Sequence, residues 1–186
     1  MTDAEKKLAA ISAIFAALFV VLKKDFGIDV KFPSAPPVVN DSISENNAGK
    51  NLYQFLELIK LGESNNRYDV LNGGSTFGSY ATHPFDKINF RSLGLESSAS
   101  GAYQIIIGTW RQCGGQEKFG DFSPESQDAC AVDILKRRGA FDSVINGDFK
   151  GARLLLLKEW DFFNRGKYSD PEYIDQLARS FKYDLG

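Results

Sequence analysis

The stretch Leu52-Tyr53-Gln54-Phe55-Leu56-Glu57-Leu58-Ile59-Lys60-Leu61-Gly62-Glu63 sets apolar residues at helical spacing. Leu52, Phe55, Leu56 and Ile59 fall at i, i+3, i+4 and i+7, which is one face of an α-helix. The period predicts a helix over about 50–61, with Gly62 as its stop signal and Glu63 immediately beyond. A carboxylate just past a helix C-terminus faces the negative end of the macrodipole, and apolar neighbours would desolvate it. Both effects favour the protonated form and raise the pKa. A glutamate held that way can donate a proton near neutral pH. Taken alone, a glutamate in this position is more often an ordinary surface residue, so the rest of the chain has to decide.

Downstream, Tyr68-Asp69-Val70-Leu71 and Thr76-Phe77-Gly78-Ser79-Tyr80 flank Asn72-Gly73-Gly74, a turn signal that predicts a short hairpin. Irregular, turn-rich chain follows through His83-Pro84 to about Ser98. Helical patterns then return at Tyr103–Cys113, from Ser123-Pro124 to about Arg138, from Asp148 to about Phe163, and from Pro171 to Tyr183. Ser123 and Pro124 read as an N-cap with proline at the first helical position. The fold class is therefore α+β: a mostly helical lobe, a small β-hairpin lobe and an N-terminal apolar helix.

Upstream, residues 25–49 include Pro33, Pro36 and Pro37 and then a run rich in Asn, Asp and Ser with no hydrophobic period. Such composition predicts an extended tether. Before it, Lys6 and Lys7 precede the uncharged run Leu8–Leu22, and Lys23 and Lys24 close it. Fifteen helical residues would reach only ~22 Å, short of a ~30 Å hydrocarbon core. Residues 1–24 thus suit an export signal or a marginal membrane anchor, with a buried core helix as the alternative. Val20-Val21-Leu22-Lys23-Lys24 makes a poor signal-peptidase site, which favours a retained, membrane-associated segment. The expected organisation is 1–24 anchor-like, 25–49 linker and 50–186 a catalytic domain.

A chain of 186 residues with 43% hydrophobic content can bury a sizeable core, which excludes wholesale disorder. A net charge of −2 argues against a dedicated nucleic-acid binder but says nothing against neutral substrates. Cys113, Cys130 and the single His83 are too few for a structural zinc site, and no metal or other cofactor is expected. The two thiols either pair in an oxidising compartment or fill core space, since spacing cannot establish contact. His83, followed by Pro84 in a loop, reads as structural.

Several motifs occur in one order: Tyr68-Asp69-Val70, Gly73-Gly74, Tyr80 with His83-Pro84, Gly101-Ala102-Tyr103-Gln104, Asp121-Phe122-Ser123-Pro124-Glu125-Ser126-Gln127-Asp128-Ala129 and Arg138-Gly139-Ala140. Over roughly 52–183 this order resembles the phage lambda type of endolysin, a lytic transglycosylase of the lysozyme-like superfamily. In that family a glutamate closing the first helix is the catalytic acid, and the resemblance places Glu63 there. It also implies that Tyr68, Asp69, Tyr80, Gly101, Tyr103 and Gln104 line the substrate site. There Tyr103 and Gln104 would offer a stacking face and amide hydrogen bonds to N-acetyl groups, or else pack between the lobes, and Asp69 would bind sugar or stabilise a turn. The partners it implies are peptidoglycan glycan strands acted on by a monomer. The anchor-like N-terminus resembles the signal-arrest-release segments of other phage endolysins. It implies a host inner-membrane location facing the periplasm, through residues 8–22, with a virion-associated enzyme as the alternative. Three departures stand out: the link from Glu63 to Tyr68 is short, Ala102 replaces an arginine, and Phe162-Phe163-Asn164-Arg165-Gly166-Lys167-Tyr168 replaces a glycine-rich loop.

The chemistry the resemblance implies needs only one carboxyl group. Protonation of the leaving oxygen accompanies an oxocarbenium-like centre at C1. The muramoyl 6-hydroxyl then attacks C1, and the same glutamate accepts its proton. A hydrolytic muramidase would need a second carboxylate, for which Asp69 is the nearest candidate in sequence. A non-catalytic glycan-binding or virion component is the third reading.

Overall fold

The computed structural model describes residues 41–183. The anchor-like segment and residues 25–40 of the expected tether lie outside them. Among the described residues no helix is long and apolar enough to cross a membrane.

The first helix, α1, runs Asp41–Ser64 and exceeds its predicted bounds at both ends. Residues 41–49, read from composition as extended tether, are helical. Their polar sequence has no apolar face to betray a helix, so periodicity could not report one. At the other end Gly62 does not stop the helix. Asn65 and Asn66 do, at φ 55° and 63°, as asparagine tolerates the left-handed conformation that closes a helix. The Asn66 N–H then donates to the Lys60 carbonyl at 3.1 Å. Glu63 consequently sits inside the last turn of α1, one residue from its end.

The remaining helices are short: α2 (Ile107–Gln112), α3 (Gly115–Phe119), α4 (Pro124–Arg137), α5 (Phe141–Ile145), α6 (Phe149–Leu156) and α7 (Pro171–Ser180). Ser123 caps α4 by accepting from the Ser126 N–H, and Asp148 caps α6 by accepting from the Gly151 N–H. Two predicted helices are cut back. Tyr103–Ile106 is not helical, because Gly101 and Gln104 take φ 76° and 47°, which a right-handed helix cannot include. The helix from Asp148 ends at Leu156, and the chain continues through 3-10 turns at Asp161–Asn164 and Gly166–Ser169.

The expected β-hairpin lobe is corrected to a turn-rich layer. The chain does reverse at Asn72-Gly73-Gly74, where the Leu71 N–H donates to the Ser75 carbonyl at 2.7 Å and the Phe77 N–H to that of Asp69 at 2.9 Å. Pairing stops at the isolated bridges Val70–Thr76, Leu71–Ser100 and Ser100–Ile105, with no longer strand among the described residues. Arms of about two residues, Val70-Leu71 and Ser75-Thr76, are too short to build a ladder.

One apolar core holds this together. Phe55 of α1 lies between Phe149 and Phe163, with ring centroids 5.5 and 6.1 Å away, and truncating such a ring typically costs ~3–5 kcal/mol. Gln54 ties α1 to the end of α7 by donating to the Phe181 carbonyl at 2.9 Å. Elsewhere in the same core Phe122 meets His83 at 4.7 Å and Trp110 at 5.0 Å. Cys113 and Cys130, also in it, are disulfide-bonded, with Cα atoms 5.5 Å apart. That resolves the two readings of the thiols in favour of pairing.

Candidate functional site

Glu63 stands half-buried where the end of α1 meets the 161–169 segment. Burial pushes its carboxyl up to about 7, against the Phe162 backbone N–H and the Arg165 charge, which favour the ionised form; Asp161 adds to the rise. Desolvation is the leading cause, so the apolar wall matters more here than the helix end on which the sequence reading also leaned. The Phe162 ring packs against Gly62, the residue before Glu63 in the chain. A Cβ at Gly62 would stand 2.3 Å from the Phe162 Cδ2, so glycine there serves close approach of the ring and not helix termination.

The 161–169 segment is itself held from below. Arg153 is 6% exposed, and its guanidinium donates to the Phe163 carbonyl at 2.6 Å and the Tyr168 carbonyl at 3.2 Å. A buried cation satisfied by backbone oxygens fixes the path of that loop. Trp160 adds a bond from its indole N–H to the Tyr103 carbonyl at 2.9 Å. Glu63 thereby faces a defined wall. At neutral pH a carboxyl with this pKa is present in both protonation states, as a group that must give and later take a proton requires.

The other sequence-derived residues fall into two sets. Tyr80 and Asp69 are half-buried. The Asp69 charge helps burial to raise the Tyr80 hydroxyl, which places the two near each other, and Asp69 pairs with Arg67 at 3.4 Å. These two have side-chain surface to offer a ligand. Tyr103, in contrast, is 0% exposed and has no face on which a sugar could stack. Its hydroxyl donates to Asp128 Oδ1 at 2.6 Å, as does that of Tyr68 at 2.8 Å. Gln104 donates its amide to the Gly101 carbonyl at 3.0 Å. Gly101 is buried, and a Cβ there would lie 2.0 Å from Gln127 Oε1. Tyr103 and Gly101 are thus interior residues, and Gln104 and Tyr68 are tied into the same hydrogen-bonded network.

Gln127 and Asp128, in sequence only members of a longer motif, organise this network with Lys60. Gln127 accepts from the Ala102 N–H at 2.8 Å and donates to the Phe122 and Tyr68 carbonyls at 2.9 and 3.1 Å. Asp128 receives both tyrosine hydroxyls, and Lys60 donates to Tyr68 at 3.0 Å and to Glu57 at 2.6 Å. Burial raises the Asp128 carboxyl, opposed by the Lys60 charge and the two tyrosine bonds. A signal was there: Gln127 shares a helical face with Cys130, Ala131 and Ile134, and a polar residue on an apolar face is a buried hydrogen-bonding hub.

His83 is fully buried. Its Nδ1 accepts from the Phe85 N–H at 3.2 Å, so its Nε2 carries the proton donated to the Ile105 carbonyl at 3.0 Å. Burial lowers its pKa to about 4, and it is a neutral structural group, as expected. Among the described residues no group of three or more His, Cys, Asp or Glu is placed to hold a metal ion.

The mostly helical fold has counterparts among solved structures. Lysozyme from bacteriophage lambda superposes with a TM-score of 0.55 at 26% identity, covering 77% of this chain and 94% of that one. The bacteriophage lambda lysozyme complexed with a chitohexasaccharide gives 0.56 at 25% identity, covering 77% and 96%. The fold is therefore of the lambda-lysozyme kind. The chain belongs to the Endolysin family, whose pattern matches residues 38–186. It is 34% identical to the endolysin of Escherichia phage lambda over 119 residues, 63% of this chain and 75% of that protein. It is 32% identical to the endolysin of Escherichia phage P2 over 145 residues, 68% of this chain and 87% of that protein.

Proposed function

We propose that this endolysin cleaves the β-1,4 bond between N-acetylmuramoyl and N-acetylglucosaminyl residues of peptidoglycan as a lytic transglycosylase. One observation carries the reading: burial holds the Glu63 carboxyl up at about 7, where one group can both give and take a proton. Protonated Glu63 gives its proton to the departing glucosaminyl O4 as the C1–O4 bond breaks. The muramoyl 6-hydroxyl closes on C1 and returns its proton to the Glu63 carboxylate, which resets the acid. The products are a 1,6-anhydromuramoyl end and a free glucosaminyl 4-hydroxyl, with no water consumed.

Asp69, half-exposed and paired with Arg67, serves here as a sugar-binding or turn-stabilising group near Tyr80. The likeness to a lysozyme complexed with a chitohexasaccharide supports an extended glycan as ligand. Residues 8–22 hold the chain at the host inner membrane facing the periplasm, a placement supported by the short apolar run between lysine pairs.

Mass spectrometry of digested peptidoglycan tests the chemistry. Muropeptides lacking one water relative to the hydrolytic product are expected. Reducing-end muramic acid would instead assign a hydrolase, with Asp69 as its second carboxylate, and binding without turnover would assign a glycan-binding component. Fractionation of cells expressing the full chain tests the location: recovery wholly in the soluble fraction would contradict it.

A further inference from the structure

The wall that holds Glu63 also carries a charge pair that the reaction as written does not use. Asp161 and Arg165 flank Phe162 within one 3-10 turn and pair with each other at 2.7 Å, with side chains 71% and 68% exposed. The Arg165 N–H closes the turn by donating to the Phe162 carbonyl at 3.0 Å, and the Phe162 ring is seated on Gly62, next to Glu63. Arg165 is thus fixed at its backbone beside the acid, while its guanidinium lies exposed and paired with Asp161. An exposed i,i+4 pair of this kind is weak and screened by salt, so the guanidinium changes partner readily. Arginine suits a carboxylate, which it can grip with two parallel N–H bonds. Its charge is also felt at the Glu63 carboxyl, as nearness to the reacting bond requires.

We propose that Arg165 is a specificity-determining residue that leaves Asp161 to bind a carboxylate on the lactyl or stem-peptide arm of the muramoyl residue. This rests on the peptidoglycan reading above. A muramoyl residue differs from glucosamine by its lactyl arm. That arm ends in a free carboxylate where the stem peptide is absent, and in an amide to a carboxylate-bearing peptide where it is present. A cation beside the acid would therefore favour productive placement of a muramoyl residue over a neutral sugar. Binding is strongest at low salt, and Asp161 acts as an internal competitor for the guanidinium.

The test measures glycan binding by the full chain in the Glu63→Gln background, which removes turnover. Three ligands are compared: peptide-stripped glycan strands with free lactyl carboxylates, the same strands with those carboxylates capped as methylamides, and peptide-bearing strands. Free lactyl strands should bind about tenfold more tightly than capped ones, and raised salt should erase the difference. A preference confined to peptide-bearing strands would place the carboxylate on the stem peptide instead. Arg165→Gln should abolish either preference while leaving capped strands bound as before, and Asp161→Asn should enlarge it. A preference that survives Arg165→Gln, its absence with both anionic ligands, or equal loss on free and capped strands would overturn the inference. In those cases cleavage of peptidoglycan by the unmutated chain would show that the function stands without it. Failure to bind or cleave any muramoyl strand would sink both.

Discussion

The Phe162 ring lies on the Cα of Gly62, so close that a Cβ at residue 62 would stand 2.3 Å from the ring. Gly62→Ala should push the ring off the helix end, let water reach Glu63 and lower its pKa toward the ordinary carboxylate range. Overpacking of this kind typically costs ~1–3 kcal/mol, and activity near pH 7 should fall by at least about tenfold as the acid form is lost. Calorimetric unfolding and the pH–rate profile check this. A wild-type profile in Gly62→Ala would show that the contact does not tune the acid.

Glu63 and His83 pull stability in opposite directions over nearly one pH range. The Glu63 pKa is raised from 4.5 to about 7 on folding, so its contribution is complete below pH 4.5 and lost as pH rises through 7. The His83 pKa is lowered from 6.5 to about 4, so its contribution is complete above pH 6.5 and lost as pH falls through 4. Each shift corresponds to at most about 3 kcal/mol. Glu63→Gln should therefore be as stable as the parent near pH 4, relative to a fixed offset, and gain up to about 3 kcal/mol on it by pH 8. The same variant should lose stability on acidification more steeply than the parent. Urea unfolding at several pH values measures both, and a pH-independent difference between the two proteins would contradict the burial of Glu63.

The Cys113–Cys130 disulfide closes a loop of separation 17, for which chain entropy gives ~3 kcal/mol. Replacing both cysteines with serine should lower stability by ~2–4 kcal/mol and leave turnover intact, since no histidine is free to activate a thiol. Loss of turnover in a folded double variant would point to thiol chemistry instead.

Asp128 is buried beneath both tyrosine hydroxyls. Asp128→Ala should orphan them along with part of the Lys60 charge, at ~3–5 kcal/mol. Thermal unfolding reads this, and a loss under about 1 kcal/mol would mean the network is not a structural hub.

That Glu63 stands at the end of α1 was legible to within about a turn, because the apolar period of the helix is strong. Helix capping was legible too, since Ser123-Pro124 and Asp148 act through local bonds that need no tertiary context. What failed did so for tertiary reasons. Gly62 looked like a terminator because the ring that demands it lies a hundred residues later, at Phe162. Tyr103 looked like a sugar platform because nothing local announces that Asp128 takes its hydroxyl into the interior. The helix expected from Tyr103 was broken by the positive φ of Gln104, which no apolar pattern encodes. Residues 41–49 are helical without an apolar stripe, so composition alone described them as tether.

Glu63→Gln tests the central claim most directly. The substitution keeps the size and hydrogen-bonding reach of the side chain but leaves no proton to give and no base to take one back. Loss of general acid catalysis costs about 10²–10⁴-fold. Release of soluble muropeptides by the purified variant should therefore fall at least ~10²-fold, with its helical signal and its glycan binding retained. Turnover close to that of the unmutated chain in a well-folded Glu63→Gln protein would contradict the assignment of Glu63 as the acid.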